Sequence, residues 1–239
     1  MIRLSRNQLK FIAAALMFVD HLGIVAAAPD SLSYVVMRRI LGRMAYPMFC
    51  ALFVDGFWRT KRPWRHVVDL LIFGFLSEFA FDFVSSRGST WFLAEHQNVM
   101  FSWAIGFLMM MGLDFALDSP KVDRFARPPL CILIVFVCMC VAAACRVDYD
   151  AIGVTCVLVC YIAKRNLGSD VELWHLTLLI SICLVFGFKT WGVLLAPLPM
   201  FFYDGNLDHR PKTLIGKYSC YAFYPLHLML ISAGVLLFR

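Results

Sequence analysis

Lys10 and His21 lie on the first strongly apolar segment of the chain, with ten residues between them. An α-helix turns about 100° per residue, so an offset of eleven returns to nearly the same face, roughly 16 Å further along the axis. A helix crossing a bilayer would then hold a cation near the lipid–water boundary and an imidazole near the midplane, on one groove. Hydrocarbon penalises buried polar side chains, so ionisable residues inside an apolar span are functional candidates. A cationic mouth suits phosphate. An imidazole floor suits proton transfer, because its charge changes near neutral pH.

Other ionisable residues fall at comparable depth. Asp20 adjoins His21 but points about 100° away, so the two do not pair directly. Arg39 and Arg43 are one turn apart and are expected to share a face, as are Glu78 and Asp82. A Glu78–Arg43 ion pair fixing helix register is as good a reading as a substrate contact. His227 follows Tyr224-Pro225, where it either serves the site or bonds a carbonyl freed by the proline. Unpaired charges in lipid are costly, so these groups are expected to face inward and meet.

The elements that position them follow from composition. The chain has 239 residues, 61% hydrophobic and 16% charged, with a mean hydropathy of +0.75. Soluble domains are nearer 45–50% apolar and about 25% charged, so the expected class is an all-α, polytopic integral-membrane bundle forming one domain over 1–239. The net charge of +6 resides in short loops. It reads as topology and lipid contact, not nucleic-acid binding. Eight of the nine cysteines sit in apolar segments, from Cys50 to Cys220, and behave as small hydrophobes. No spacing suggests a metal site.

Apolar stretches predict about nine helices, near 8–28, 38–58, 66–84, 98–117, 129–145, 150–163, 172–188, 190–204 and 217–238. Pro47 should kink the second, and Pro197 with Pro199 should make the eighth the least regular. A signal-peptide reading of the first is weaker, because Asp20 and His21 interrupt its apolar run. Basic residues cluster at the N-terminus and at Arg59–Arg65, Lys121–Arg127, Lys164-Arg165 and Arg210–Lys217. This alternation predicts a cytoplasmic N-terminus. Arg38-Arg39-Arg43 breaks it: either they line a polar cavity or the second helix starts before residue 38. Trp58, Trp64, Trp91 and Trp103 read as interface anchors or packing. His66, His175 and His209 sit near predicted boundaries, where a polar tip costs little, and receive no role.

Several of these segments together resemble the TraX family, the pilin acetylases of conjugative plasmids. They are Phe18-Val-Asp20-His21, then Arg43-Met-Ala-Tyr-Pro47-Met-Phe49 leading to Gly56. Leu76-Ser77-Glu78-Phe79 with Phe81-Asp82 follows, then Asn98-Val-Met-Phe101. Tyr203-Asp204-Gly205 and Tyr221-Ala-Phe-Tyr-Pro225-Leu-His227-Leu complete the order. The likeness thins between about 118 and 200. It implies a multi-pass protein of the bacterial inner membrane that moves acetyl from acetyl-CoA to the N-terminus of a pilin-type protein. The wider acyltransferase-3 group also places a basic residue before a first-helix histidine and carries paired arginines, as Arg38-Arg39 here.

On that basis His21, His227, Glu78, Asp20 and Arg43 are the expected catalytic set. Lys10, Arg38, Arg39, Arg62 and Arg65 are expected to hold the acyl donor, and Asp82, Asn98 and Tyr224 the acceptor. His21 would take the proton from the attacking group, and Arg43 or His227 would stabilise the oxyanion. O-acetylation of a glycan or small hydroxyl compound, a proton-coupled carrier and a non-enzymatic pilin assembly factor remain open alternatives.

Overall fold

A computed structural model describes residues 2–93, 95–208 and 214–238, without the side chains of 169 and 214–217. Arg210, Lys212 and the Lys217 side chain, part of the predicted basic pattern, lie outside the described residues, as does His209, which receives no role. Among those described, all regular elements are helical, apart from two isolated bridges, Leu4 with Tyr203 and Gln97 with Val147.

Each predicted apolar segment contains helix. They are α1 (Arg6–Ala26), α2 (Leu32–Phe57), α3 (Pro63–Ser85), α4 (Val99–Asp118), α5 (Arg127–Ala144), α6 (Asp150–Leu167), α7 (Leu173–Phe188), α8 (Trp191–Phe201) and α9 (Leu214–Leu237). Five are long and apolar enough to cross a membrane: α1, α2, α4, α5 and the Tyr218–Leu237 part of α9. That is fewer than the nine crossings the composition suggested. A crossing needs about 20 residues, and α7 has only 16. α3 has 23 residues, but Arg65, Asp69, Glu78 and Asp82 interrupt its apolar face. α8 is a 3₁₀ turn over Trp191–Leu195 running into a short α-helix at Pro197–Phe201, the irregularity its prolines predicted.

α1 begins with a capping box in which Ser5 accepts from the Gln8 N–H and the Gln8 side chain accepts from the Ser5 N–H. It packs against α2, α3 and α9, and α9 lies along α3. α2 packs on α6 and α7, and α4 on α3, α5 and α6. α5 is the outlying helix: of its residues only Ala142 is buried. Phe136 and Ile132 on it are exposed, as expected for a lipid-facing surface.

The first half of α2 decides which arginines face inward. It starts at Leu32, before the predicted boundary, and over Val35–Leu41 it is a π-helix, followed by a 3₁₀ turn at Gly42–Met44. Hydrogen bonds from i to i+5 place more residues in each turn than the usual 3.6. The irregularity lies upstream of Pro47, whose ring nitrogen has no N–H to give Arg43. Here α1 approaches very closely. A Cβ on Gly42 would sit 2.3 Å from Asp20 Oδ1, and one on Gly23 would sit 3.0 Å from Met37 Cβ. Small residues permit such contact between helices in lipid.

Candidate active site

His21 on α1 and His227 on α9 are in contact. His227 Nε2 lies 3.2 Å from His21 Nδ1. His21 Nδ1 also lies 2.9 Å from the Met17 carbonyl, and His227 Nδ1 lies 2.9 Å from the Phe223 carbonyl. A carbonyl only accepts, so each neutral ring carries its proton on Nδ1. His21 Nδ1–H then donates to Met17 and toward the bare Nε2 of His227. The remaining nitrogen, His21 Nε2, is left with a free lone pair. His21 lines a cavity of about 380 Å³, and His227 does not. His227, expected to act on substrate, contacts His21 without lining the cavity.

The histidine cavity gathers charge from two helices, α1 and α2, and from the two loops that precede α4 and α6. Arg38 Nη1 donates to Asp20 Oδ2 at 3.1 Å, leaving Asp20 Oδ1 buried without a partner. Arg43 faces the Tyr149 hydroxyl, with Asp20 and Asp148 nearby. Tyr149 stacks on Tyr46 with ring centroids 3.7 Å apart. It is held in the left-handed region at φ 63°, a costly backbone state for a bulky residue. Burial pushes its hydroxyl well above the ordinary tyrosine range. His96 Nε2 lies 3.3 Å from Asp148 Oδ1, and this hydrogen bond raises its pKa. The Tyr224 hydroxyl is buried beside His21, with the Val99 backbone nearby. Three guanidiniums (Arg38, Arg43 and Arg87), an unprotonated imidazole nitrogen and the Tyr224 phenol therefore line one cavity. That set can accept a proton and stabilise an oxyanion.

Two further cavities adjoin this one. A lysine cavity of about 280 Å³ is lined by Lys10, Arg6, Arg59 and His66 and shares Phe49 and Trp103 with the histidine cavity. Arg6 and Arg59 pair with Asp55, at 2.5 and 3.2 Å, whereas Lys10 forms no ion pair among the described residues. A loop cavity of about 520 Å³ shares Arg43, His96, Asp148 and Tyr149 and adds Glu95, Arg146 and Asp150.

The other predicted residues take different places. Arg39, expected to share a face with Arg43, turns outward and pairs with Asp30 at 2.6 Å; the wide turns of α2 bring in Arg38 instead. Arg62 precedes α3 at the surface, and Arg65 donates to the Tyr218 hydroxyl at 3.0 Å; neither lines a cavity described above. Glu78 does not meet Arg43. Its partner is Asn98, which caps α4 through the Met100 N–H and donates to the Gly74 carbonyl at 2.9 Å and to Glu78. Asp82 accepts from the Leu93 N–H at 2.8 Å. Glu78, Asp82 and Asn98 thus fix the α3–α4 connection and lie outside the lining of the histidine cavity.

Several lining residues escaped sequence reasoning. Asp148 and Tyr149 belong to a short loop without apolar periodicity. That loop is tied to the α3–α4 connection by Gln97, whose N–H donates to Arg146 and whose carbonyl accepts from Asp148. His66, set aside as a boundary residue, meets the Tyr221 hydroxyl inside the lysine cavity. For the Asp148–Tyr149 loop, the density of polar residues near 145–150 is the one signal that the sequence carries.

Known proteins place the chain clearly. Residues 5–235 match the family model described as TraX protein. The chain is 28% identical over 246 aligned positions to a probable fimbrial assembly protein FimC, serogroup H1, of Dichelobacter nodosus, covering 96% of this chain and 95% of that protein. No solved structure matches.

Proposed function

Because the chain belongs to the TraX family, we propose that it is an inner-membrane acetyltransferase that moves acetyl from acetyl-CoA to the N-terminal amine of a pilin-type protein. The observation that carries this is the His21–His227 contact, with His21 Nε2 free beside Arg43 and Arg38. The fimbrial name of the relative supports a pilin-type partner.

The donor's phosphates sit at the lysine cavity, where Lys10 offers a charge not committed to a carboxylate. Its thioester reaches the level of His21. The acceptor amine attacks the thioester carbonyl as His21 Nε2 takes the amine proton. Negative charge developing on the carbonyl oxygen is stabilised by the Arg43 guanidinium. The tetrahedral intermediate then collapses, the carbon–sulfur bond breaks, and the departing CoA thiolate takes the proton from His21. Asp20 holds Arg38 in place, and His227 keeps the His21 proton on Nδ1. The loop cavity, entering from the Asp148 side, gives the acceptor a route separate from the donor's.

Purified protein in lipid, given acetyl-CoA and a peptide with the pilin N-terminus, should release CoA and yield acetylated peptide. His21→Ala should abolish both, and pilin isolated from cells carrying that variant should lack the acetyl mark. Pilus assembly that depends on the protein but tolerates His21→Ala would instead support a non-enzymatic assembly role, which the relative's name also accommodates.

A further inference from the structure

The histidine and lysine cavities lie on either side of one aromatic wall, the waist between them. Phe49 and Trp103 belong to the walls of both. The rings of Phe49 and Phe53 each lie 5.7 Å from that of Trp103, tilted and stacked respectively. Aromatic rings of this kind disfavour charge and pack well against a slender uncharged chain. Yet this collar contains one polar atom. Trp103 Nε1 is buried without any hydrogen-bond partner, and it is the one buried side-chain nitrogen in that state among the described residues. Trp103 is only 9% exposed, so solvent does not satisfy the donor. Indole N–H only donates, so its missing partner is an acceptor.

We propose that this waist is a binding subsite for the secondary-amide arm of the acyl donor, with Trp103 Nε1–H donating to an amide carbonyl of the pantetheine-type chain. The inference rests on the donor assignment above. It adds what separates a phosphate site at Lys10 from a thioester at His21: roughly 16 Å along α1, which an uncharged arm has to span. An arm carrying amides brings carbonyls that must be satisfied between aromatic walls, and the collar holds the donor that does so. The phenyl rings on either side pack against the methylenes. A purely hydrocarbon chain of equal length would leave the indole donor as it stands in the free protein.

The test is equilibrium binding to the full-length protein in nanodiscs, with acetyl-CoA and with adenosine bisphosphate, the nucleotide fragment that lacks the arm. Trp103→Phe keeps the ring and deletes the donor. It should weaken acetyl-CoA binding about tenfold and leave the nucleotide fragment unchanged. Equal acetyl-CoA affinity in both proteins overturns the subsite while leaving the donor assignment intact. Failure of the unaltered protein to bind acetyl-CoA overturns both. If the variant loses both ligands through a damaged fold, the unaltered protein decides. An acetyl-CoA analogue with an alkene in place of the arm's amides should bind it about tenfold more weakly, and equal binding refutes the proposal.

Discussion

His227 Nε2 meets His21 Nδ1 at 3.2 Å across 206 residues of sequence, so the first and last helices are joined through imidazole. The contact fixes which nitrogen of His21 is bare. His227→Ala should therefore act on turnover more than on binding. kcat should fall by about 10²-fold, the low end for acid–base assistance, with KM for acetyl-CoA nearly constant. His227→Gln, whose amide oxygen accepts, should recover part of the loss. A KM effect as large as the kcat effect would refute the orienting role.

Gly42 leaves no space for a side chain, since a Cβ there would fall 2.5 Å from Asp20 Cβ as well as against Oδ1. Gly42→Ala should push α1 from α2 and break the Asp20–Arg38 pair. Overpacking of this kind costs about 1–3 kcal/mol, visible as a lowered melting temperature in detergent. Unchanged melting and turnover would mean that the helices are not this close.

Asn98 is built in as a cap, and Asn98→Ala should destabilise the protein by about 1–3 kcal/mol through the lost cap and the orphaned Glu78. Asn98→Asp keeps a good capping residue but sets two carboxylates against each other. Adding Glu78→Gln to Asn98→Asp should recover most of the stability, because amide and carboxylate have merely exchanged sides. Absence of recovery in thermal unfolding would show that the pair does not set stability.

His96 carries a pH signature. Its hydrogen bond to Asp148 raises the folded-state pKa, with Glu78 and Asp82 adding to the pull. A raised histidine value contributes stability below the ordinary pKa of about 6.5, and that contribution is lost as pH climbs through the folded value. Melting temperature should therefore decline as pH rises through that window. His96→Gln should flatten the decline, and parallel curves for the two proteins would rule the linkage out.

Much of the fold was legible in sequence because apolar length dominates in lipid. The approximate positions of the helical segments follow from apolar length, whereas Lys10 and His21, expected on one groove, line two different cavities. The face that a residue presents was not legible where the backbone left the α form. Arg39 was placed with Arg43 by a period of 3.6, and the π turns of α2 put Arg38 there instead. Glu78 and Asn98 looked like site residues because polar groups in lipid attract attention, yet Asn98 bonds one Glu78 carboxylate oxygen and caps α4, away from the histidine cavity. Asp148 and Tyr149 were missed because a loop's partner is set by tertiary contact, which no local pattern encodes.

The tandem at Arg38-Arg39 gives the wide turn of α2 an unusual latitude. Remove one residue between Val35 and Met37 and an ordinary helix, counted back from Arg43 in steps of four, delivers the neighbouring arginine to the same spot. Duplicated side chains thus buffer the interior against a slipped backbone. A small insertion or deletion in this stretch exchanges one guanidinium for another and leaves the charge of the chamber intact.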